Sequence, residues 1–192
     1  MKEDELHAFL TLQRIPNLGD TSIKRLIGRF ETAQQVLDQK KESLLKLDGI
    51  GAFKLKAFFE KEHRLAAEEE LKFIQEHNID YCSYKDQNYP ERLKHCIDGP
   101  ILLFKRGSKD FSQQRMISIV GTRKVTNHGV DFIKQLVEDL APLNPLVVSG
   151  FAYGVDITAH RAALDQGLDT IAVLAHGLNQ IYPKVHAKYV KA

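Results

Sequence analysis

The sequence predicts an α/β protein in two parts, an all-α region followed by a Rossmann-like parallel sheet. Three observations lead there. Up to about residue 77, apolar residues recur at helical spacing with no convincing strand pattern. From Met116 onward the pattern changes to strand, loop, helix, repeated three times. Two of those strand-to-helix loops carry glycines, Gly121-Thr122-Arg123-Lys124-Val125-Thr126 and Ser149-Gly150-Phe151-Ala152-Tyr153-Gly154-Val155-Asp156.

The helical part, residues 1–77, begins with the apolar face Leu6, Phe9 and Leu10. Ile23, Leu26, Ile27 and Phe30 give the next face, at i, i+3, i+4, i+7 spacing. Leu44, Leu45 and Leu47 form a short piece. Phe53, Leu55, Phe58 and Phe59 are expected on a further helix that begins near Ala52. A longer helix follows, with Leu65, Leu71, Phe73 and Ile74 as its apolar positions. Two of the turns are alike, Ile15-Pro16-Asn17-Leu18-Gly19 and Leu47-Asp48-Gly49-Ile50-Gly51. Each sets an aliphatic residue before a glycine and leads into a lysine-bearing segment. That arrangement predicts a tandem helix-hairpin-helix (SAM-like) domain. In such a hairpin a glycine lets backbone amides approach a phosphate. Gly49, Gly51 and Lys54 are therefore candidates for a secondary DNA contact, or else simple helix stops.

Residues 78–107 read as a connector with short strands. Ile79 to Tyr84 alternates, Tyr89-Pro90 turns, Glu91 to Cys96 is helical, and Ile101 to Phe104 is a second strand. In residues 108–192 the expected strands are Met116–Val120, Leu146–Val148 and Thr170–Ala175. The crossover helices carry Phe132, Ile133, Leu136, Val137 and Leu140, then Ile157 to Gln166. Such alternation implies parallel strands with right-handed crossovers, so the loops fall at the carboxyl ends of the strands, where these sheets take ligands. Three strands leave an exposed edge. The chain ends inside an expected helix after Pro183, so the sheet reads as incomplete and the chain as part of a longer product.

Composition narrows the class. With 43% hydrophobic and 27% charged residues over 192 positions, the chain is neither disordered nor membrane-spanning. Its N-terminus, Met1-Lys2-Glu3-Asp4-Glu5, lacks the apolar stretch of a signal peptide, which predicts a cytoplasmic protein. Cys82 and Cys96 have neither disulfide-framework nor metal-ligand spacing. No metal or cofactor is expected. The net charge of +2 does not by itself announce a nucleic-acid partner.

A strand, a glycine turn and a helix N-terminus make an anion site, because backbone N–H groups point outward and the helix dipole favours negative charge. Arg123, in a tight turn after a buried strand, suits a phosphate better than a core. Thr126 is expected to cap the following helix. Asp156 is expected as the N-cap of a helix at Ile157, with His160 beside it in a structural role, hydrogen-bonded to loop backbone. Phe151 and Tyr153 are candidates for base stacking or for packing.

The stretches GTRKVTNHG, SGFAYGVDITAHRAAL and TIAVLAHGLNQIYP resemble the DNA-processing protein A (DprA/Smf) family. Asp86, Tyr89-Pro90, Leu93, Pro100 and Gly107 fit the same pattern, and the helical hairpins match a domain that many members carry. The resemblance implies a single-stranded DNA-binding protein of natural transformation and recombination, which protects incoming DNA and helps load the RecA recombinase, and not an enzyme. It places DNA phosphate at Gly121, Thr122 and Arg123. Ser149, Gly150, Ala152 and Gly154 would line the adjoining pocket, and Lys184 would add a cation. Ala175 and His176 stand where many members have a second glycine. Family members form homodimers largely through later strands, which puts dimerisation by this chain in doubt. The rival reading is a nucleotide hydrolase acting on a nucleoside monophosphate, but no carboxylate is plainly placed as its acid or base. A dinucleotide oxidoreductase is disfavoured, since G-x-G-x-x-G follows no strand.

Overall fold

The computed structural model describes residues 1–47, 51–53, 55–107 and 115–190. The chain divides into two compact units, Met1–Ser108 and Lys109–Ala192.

The first unit contains α1 (Glu3–Arg14), α2 (Asp20–Phe30), α3 (Ala33–Leu37), α4 (Lys41–Leu45) and α5 (Lys61–Glu76). Leu6, Phe9, Leu10 and Leu12 of α1 are fully buried in its core, as are Ile23, Leu26 and Ile27 of α2. These are the positions that helical periodicity selects. α5 packs along α1 and is tied to it by Arg14 and Glu70 at 2.6 Å. It buries Ala67, Leu71 and Ile74 and leaves Leu65 exposed.

The helix expected from Ala52 does not form as an α-helix. Residues 55–60 instead make i to i−3 backbone bonds, Leu55 N–H to Ala52 O at 3.2 Å and Phe58 N–H to Leu55 O at 3.3 Å. Only Leu55 and Phe58 are buried, three positions apart, while Phe53 and Phe59 face outward. One buried residue per tight turn gives a chain no apolar stripe on which to extend an α-helix.

Residues 78–107 contribute to the first unit. β1 (Asp80–Ser83) and β2 (Leu102–Lys105) pair antiparallel, with α6 (Glu91–Lys94) in their connection. Tyr89 fixes that connection by donating its hydroxyl to Pro100 O at 2.7 Å. The Asp20 carboxylate accepts the Ile101 N–H at 3.3 Å, and Tyr84 meets Phe9 edge-on at 6.3 Å. Cys82 is buried and Cys96 exposed, both as free thiols.

The second unit is the parallel sheet, in the order β3 (Met116–Ser118), β4 (Leu146–Ser149), β5 (Thr170–Ala172). The crossovers are α7 (Asn127–Leu140) and α8 (Val155–Asp165). Ile119, Val147, Ile133, Val137, Ala159, Ala162, Ala163 and Leu168 form one core between helices and sheet. Alanine at three of the α8 positions lets that helix lie close to the strands. β3 and β5 end before Val120 and Ala175, the limits expected from their apolar runs, although Ile119 N–H to Val148 O at 3.0 Å and Val173 N–H to Ser149 O at 2.8 Å extend the ladder by single bonds. The helix expected after Pro183 is a 3-10 helix, Lys184–Tyr189. Among the described residues, no helix is long and apolar enough to cross a membrane.

Candidate functional site

The two glycine loops lie where a parallel sheet gathers its strand ends, and they touch. The Thr122 carbonyl accepts the Val155 N–H, the first amide of α8, at 3.1 Å. Gly154 sits at φ +80°, and a Cβ added there would fall 2.6 Å from the Arg123 carbonyl carbon. A Cβ on Gly121 would meet Val155 Cγ2 at 2.8 Å. Glycine at both positions is therefore what allows the loops to close on each other. Gly121, Thr122, Arg123 and Gly154 are brought together by this contact. Thr122 Oγ1 accepts the Lys124 N–H at 3.1 Å and tightens the first loop. Thr126 caps α7, accepting the Gly129 N–H at 3.1 Å, as expected from sequence. Arg123 and Lys124 are exposed.

The second loop is held from inside. Asp156 is not the N-cap of α8. Gly154 takes that place, and Asp156, the second residue of the helix, accepts the Ala152 N–H at 3.3 Å. This carboxylate lies over Gly150, so the amide of Ala152 is spent within the loop. Ser149 is buried, with its hydroxyl donating to Ile119 O at 2.5 Å, and so ties β4 to β3.

His160, buried on α8, clamps the same loop. Its Nε2 lies 2.6 Å from the Gly150 carbonyl and its Nδ1 2.6 Å from Thr170 Oγ1. A carbonyl only accepts, which assigns the proton to Nε2. Burial lowers the His160 pKa from its ordinary 6.5. The Gly150 carbonyl and Asp156 oppose that shift, and His186 adds to it. The single proton of the Thr170 hydroxyl lies between His160 Nδ1 at 2.6 Å and the Val147 carbonyl, which accepts it at 2.9 Å.

A further clamp was not foreseen from sequence. His186, in the 3-10 helix after Pro183, is buried and donates Nδ1–H to the Phe151 carbonyl at 2.9 Å. Its ring meets Phe151 at 5.4 Å and Tyr153 at 5.1 Å, both edge-on. The only local signal is a histidine three residues after Pro183. This bond fastens the segment that carries Lys184, which is exposed, to the second loop. Of the hairpin candidates, Gly49 and Lys54 lie outside the described residues. Gly51 is exposed, and a Cβ there would meet open space.

The profile of the DNA recombination-mediator protein A family matches residues 80–192. The DNA processing protein DprA of Streptococcus pneumoniae (strain ATCC BAA-255 / R6) is 38% identical over 107 residues, covering 55% of this chain and 37% of that protein. Protein Smf of Synechocystis sp. is 28% identical over 187 residues, covering 95% of this chain and 47% of that protein. The X-ray structure of DNA processing protein A from Streptococcus pneumoniae superposes with a TM-score of 0.74 at 25% identity, over 98% of this chain and 62% of the other. The chain thus spans 37% to 47% of the length of these two curated relatives.

Proposed function

Because the chain belongs to the DNA recombination-mediator protein A family, we propose that its second unit binds single-stranded DNA in natural transformation and recombination. In this reading it protects incoming strands and assists the loading of a RecA-type recombinase. It acts as a binding protein, not as a catalyst. The names of relatives in Streptococcus pneumoniae and Bacillus subtilis support a DNA-processing role. The observation that carries the reading is the closure of the two loops through Gly154. It sets Thr122 and Arg123 at the strand ends on a rigid backbone. Phosphates rest on the amides of Gly121, Thr122 and Arg123, with the Arg123 guanidinium and the Lys184 ammonium adding charge. Gly150, Ala152 and Gly154 shape the floor beside them, and Ser149 supports it from below.

The hydrolase reading requires a free acid or base. Asp156 is engaged by the Ala152 amide, and His160 by Gly150 and Thr170. Both residues hold backbone in place, which supports a binding role. Incubation with nucleoside monophosphates is expected to release no base, and release would favour the rival.

Fluorescence anisotropy with a labelled oligo-dT tests the site directly. Arg123→Ala is expected to weaken binding about tenfold. The slope of log affinity against log salt should fall by about 1, as for the loss of one phosphate contact. The far-ultraviolet circular dichroism should not change. Unaltered affinity would remove Arg123 from the site.

A further inference from the structure

The second loop carries two aromatic residues, and they differ in exposure. Phe151 is partly buried, with its ring edge-on to His160 at 5.8 Å and to His186 at 5.4 Å. It packs. Tyr153 keeps 48% of its surface open, and its ring contact among the described residues is with His186, at 5.1 Å and 69°. An edge-on contact of this kind does not stack a second ring flat on the tyrosine.

The ring is also held in place. His186 is only 4% exposed, and its Nδ1–H is fixed on the Phe151 carbonyl at 2.9 Å. Gly154, the next residue along, is wedged against the Thr122 and Arg123 carbonyls. Adjacent Cα atoms are about 3.8 Å apart, so the backbone bearing Tyr153 is tied to the loop bearing Arg123. Lys184 and Lys188 are exposed in the 3-10 helix that carries His186, and the Lys188 ammonium lies 5.0 Å from the Tyr189 ring. The carboxylate of Asp156 is turned toward the Ala152 amide.

We infer that Tyr153 is a stacking platform for an unpaired base, and so the residue by which this surface distinguishes single-stranded from duplex nucleic acid. The inference rests on the phosphate-binding reading of the first loop. A surface of amides and cations alone reads phosphate, which a duplex offers equally well. A fixed, open aromatic ring adds a requirement that only an unstacked base meets. Every base has such a face, so the preference is for single strands and not for a sequence.

Two experiments on the full chain test this. In anisotropy titrations, the unaltered protein should bind oligo-dT roughly tenfold more tightly than an abasic oligomer with the same backbone, within the usual range for one stacked base. Tyr153→Leu should bring oligo-dT down to the abasic level and leave abasic affinity unchanged, and Tyr153→Phe should retain the difference. The chain contains no tryptophan, so Tyr153→Trp installs a single reporter. Its emission should be quenched by oligo-dT and not by the abasic oligomer or a duplex. Equal affinity of the unaltered protein for oligo-dT and the abasic strand, or an unquenched Tyr153→Trp that still binds oligo-dT, overturns the platform and leaves the phosphate site standing. Failure of the unaltered protein to bind any of the three overturns the phosphate reading and the platform together. If Tyr153→Leu loses its fold, the Tyr153→Trp quenching decides alone.

Discussion

His160 shows how one buried side chain sets the shape of a loop at the strand ends. Its ring spans the Gly150 carbonyl and the Thr170 hydroxyl, so it links the loop after β4 to the start of β5. Burial is the leading cause of its lowered pKa. The folded protein therefore binds this proton less readily than the unfolded chain does. Stability owed to the neutral ring is complete above pH 6.5, and it is lost as pH falls from there through the lower folded value. The midpoint of thermal unfolding, followed by circular dichroism, should thus fall between pH 7.5 and 5.5. His160→Gln keeps a donor and an acceptor but cannot titrate. It should unfold at lower temperature than the unaltered protein at pH 7.5 and show a shallower decline toward pH 5.5. An equal decline in both proteins would mean that other groups carry the pH dependence.

At the scale of the element, α3 is the instructive case. Five residues make a poor helix alone, and this one is capped from a distance. The Glu5 carboxylate of α1 accepts the Ala33 N–H at 2.7 Å and the Gln34 N–H at 3.2 Å, and Thr32 Oγ1 accepts the Gln35 N–H at 3.1 Å. Three amides at the helix start are thereby satisfied, two of them by a charged group that also suits the helix dipole. Glu5→Gln should cost about 1–2 kcal/mol in urea unfolding, since it removes the charge and turns an amide donor toward a backbone donor. Amide exchange at residues 33–35 should rise with it, and unchanged exchange there would refute the remote cap. Periodicity could not reveal α3, because its cap lies 28 residues away in the chain. The same limit explains the other departures from expectation. α2 and α7 were legible because their apolar stripes are local, and the closing glycines because positive φ and tight turns have a residue signature. The aromatic run Phe53 to Phe59 suggested a helix, but tertiary packing uses only Leu55 and Phe58 of it. The strand limits depend on neighbouring strands, and the His186 clamp joins residues 35 apart in the chain. None of these is encoded at short range.

For the molecule as a whole, the two units differ in the cores that support them. The first buries Phe9, Phe58 and Tyr89 together with a long list of leucines and isoleucines. The second buries Ile119, Ile133, Val137, Leu146, Val147 and Leu168, with alanine at three of the remaining positions and, among the described residues, no buried Phe or Tyr. Apolar area removed from water is the main favourable term in folding, at roughly 25 cal/mol per Å². The smaller side chains should therefore make the second unit the less stable of the two. Equilibrium urea unfolding should then proceed in two steps. In Tyr153→Trp the single tryptophan lies in the second unit, so its emission should change in the earlier step, while ellipticity at 222 nm, to which α1–α6 contribute more than α7 and α8, should fall more in the later one. Oligo-dT binds the second unit in the proposed function, so it should move the tryptophan transition to higher urea and leave the later step in place, because a ligand stabilises only the unit that holds it. A single transition seen equally by both probes would show that the units unfold as one. A shift of the later step alone would move the DNA site to the first unit.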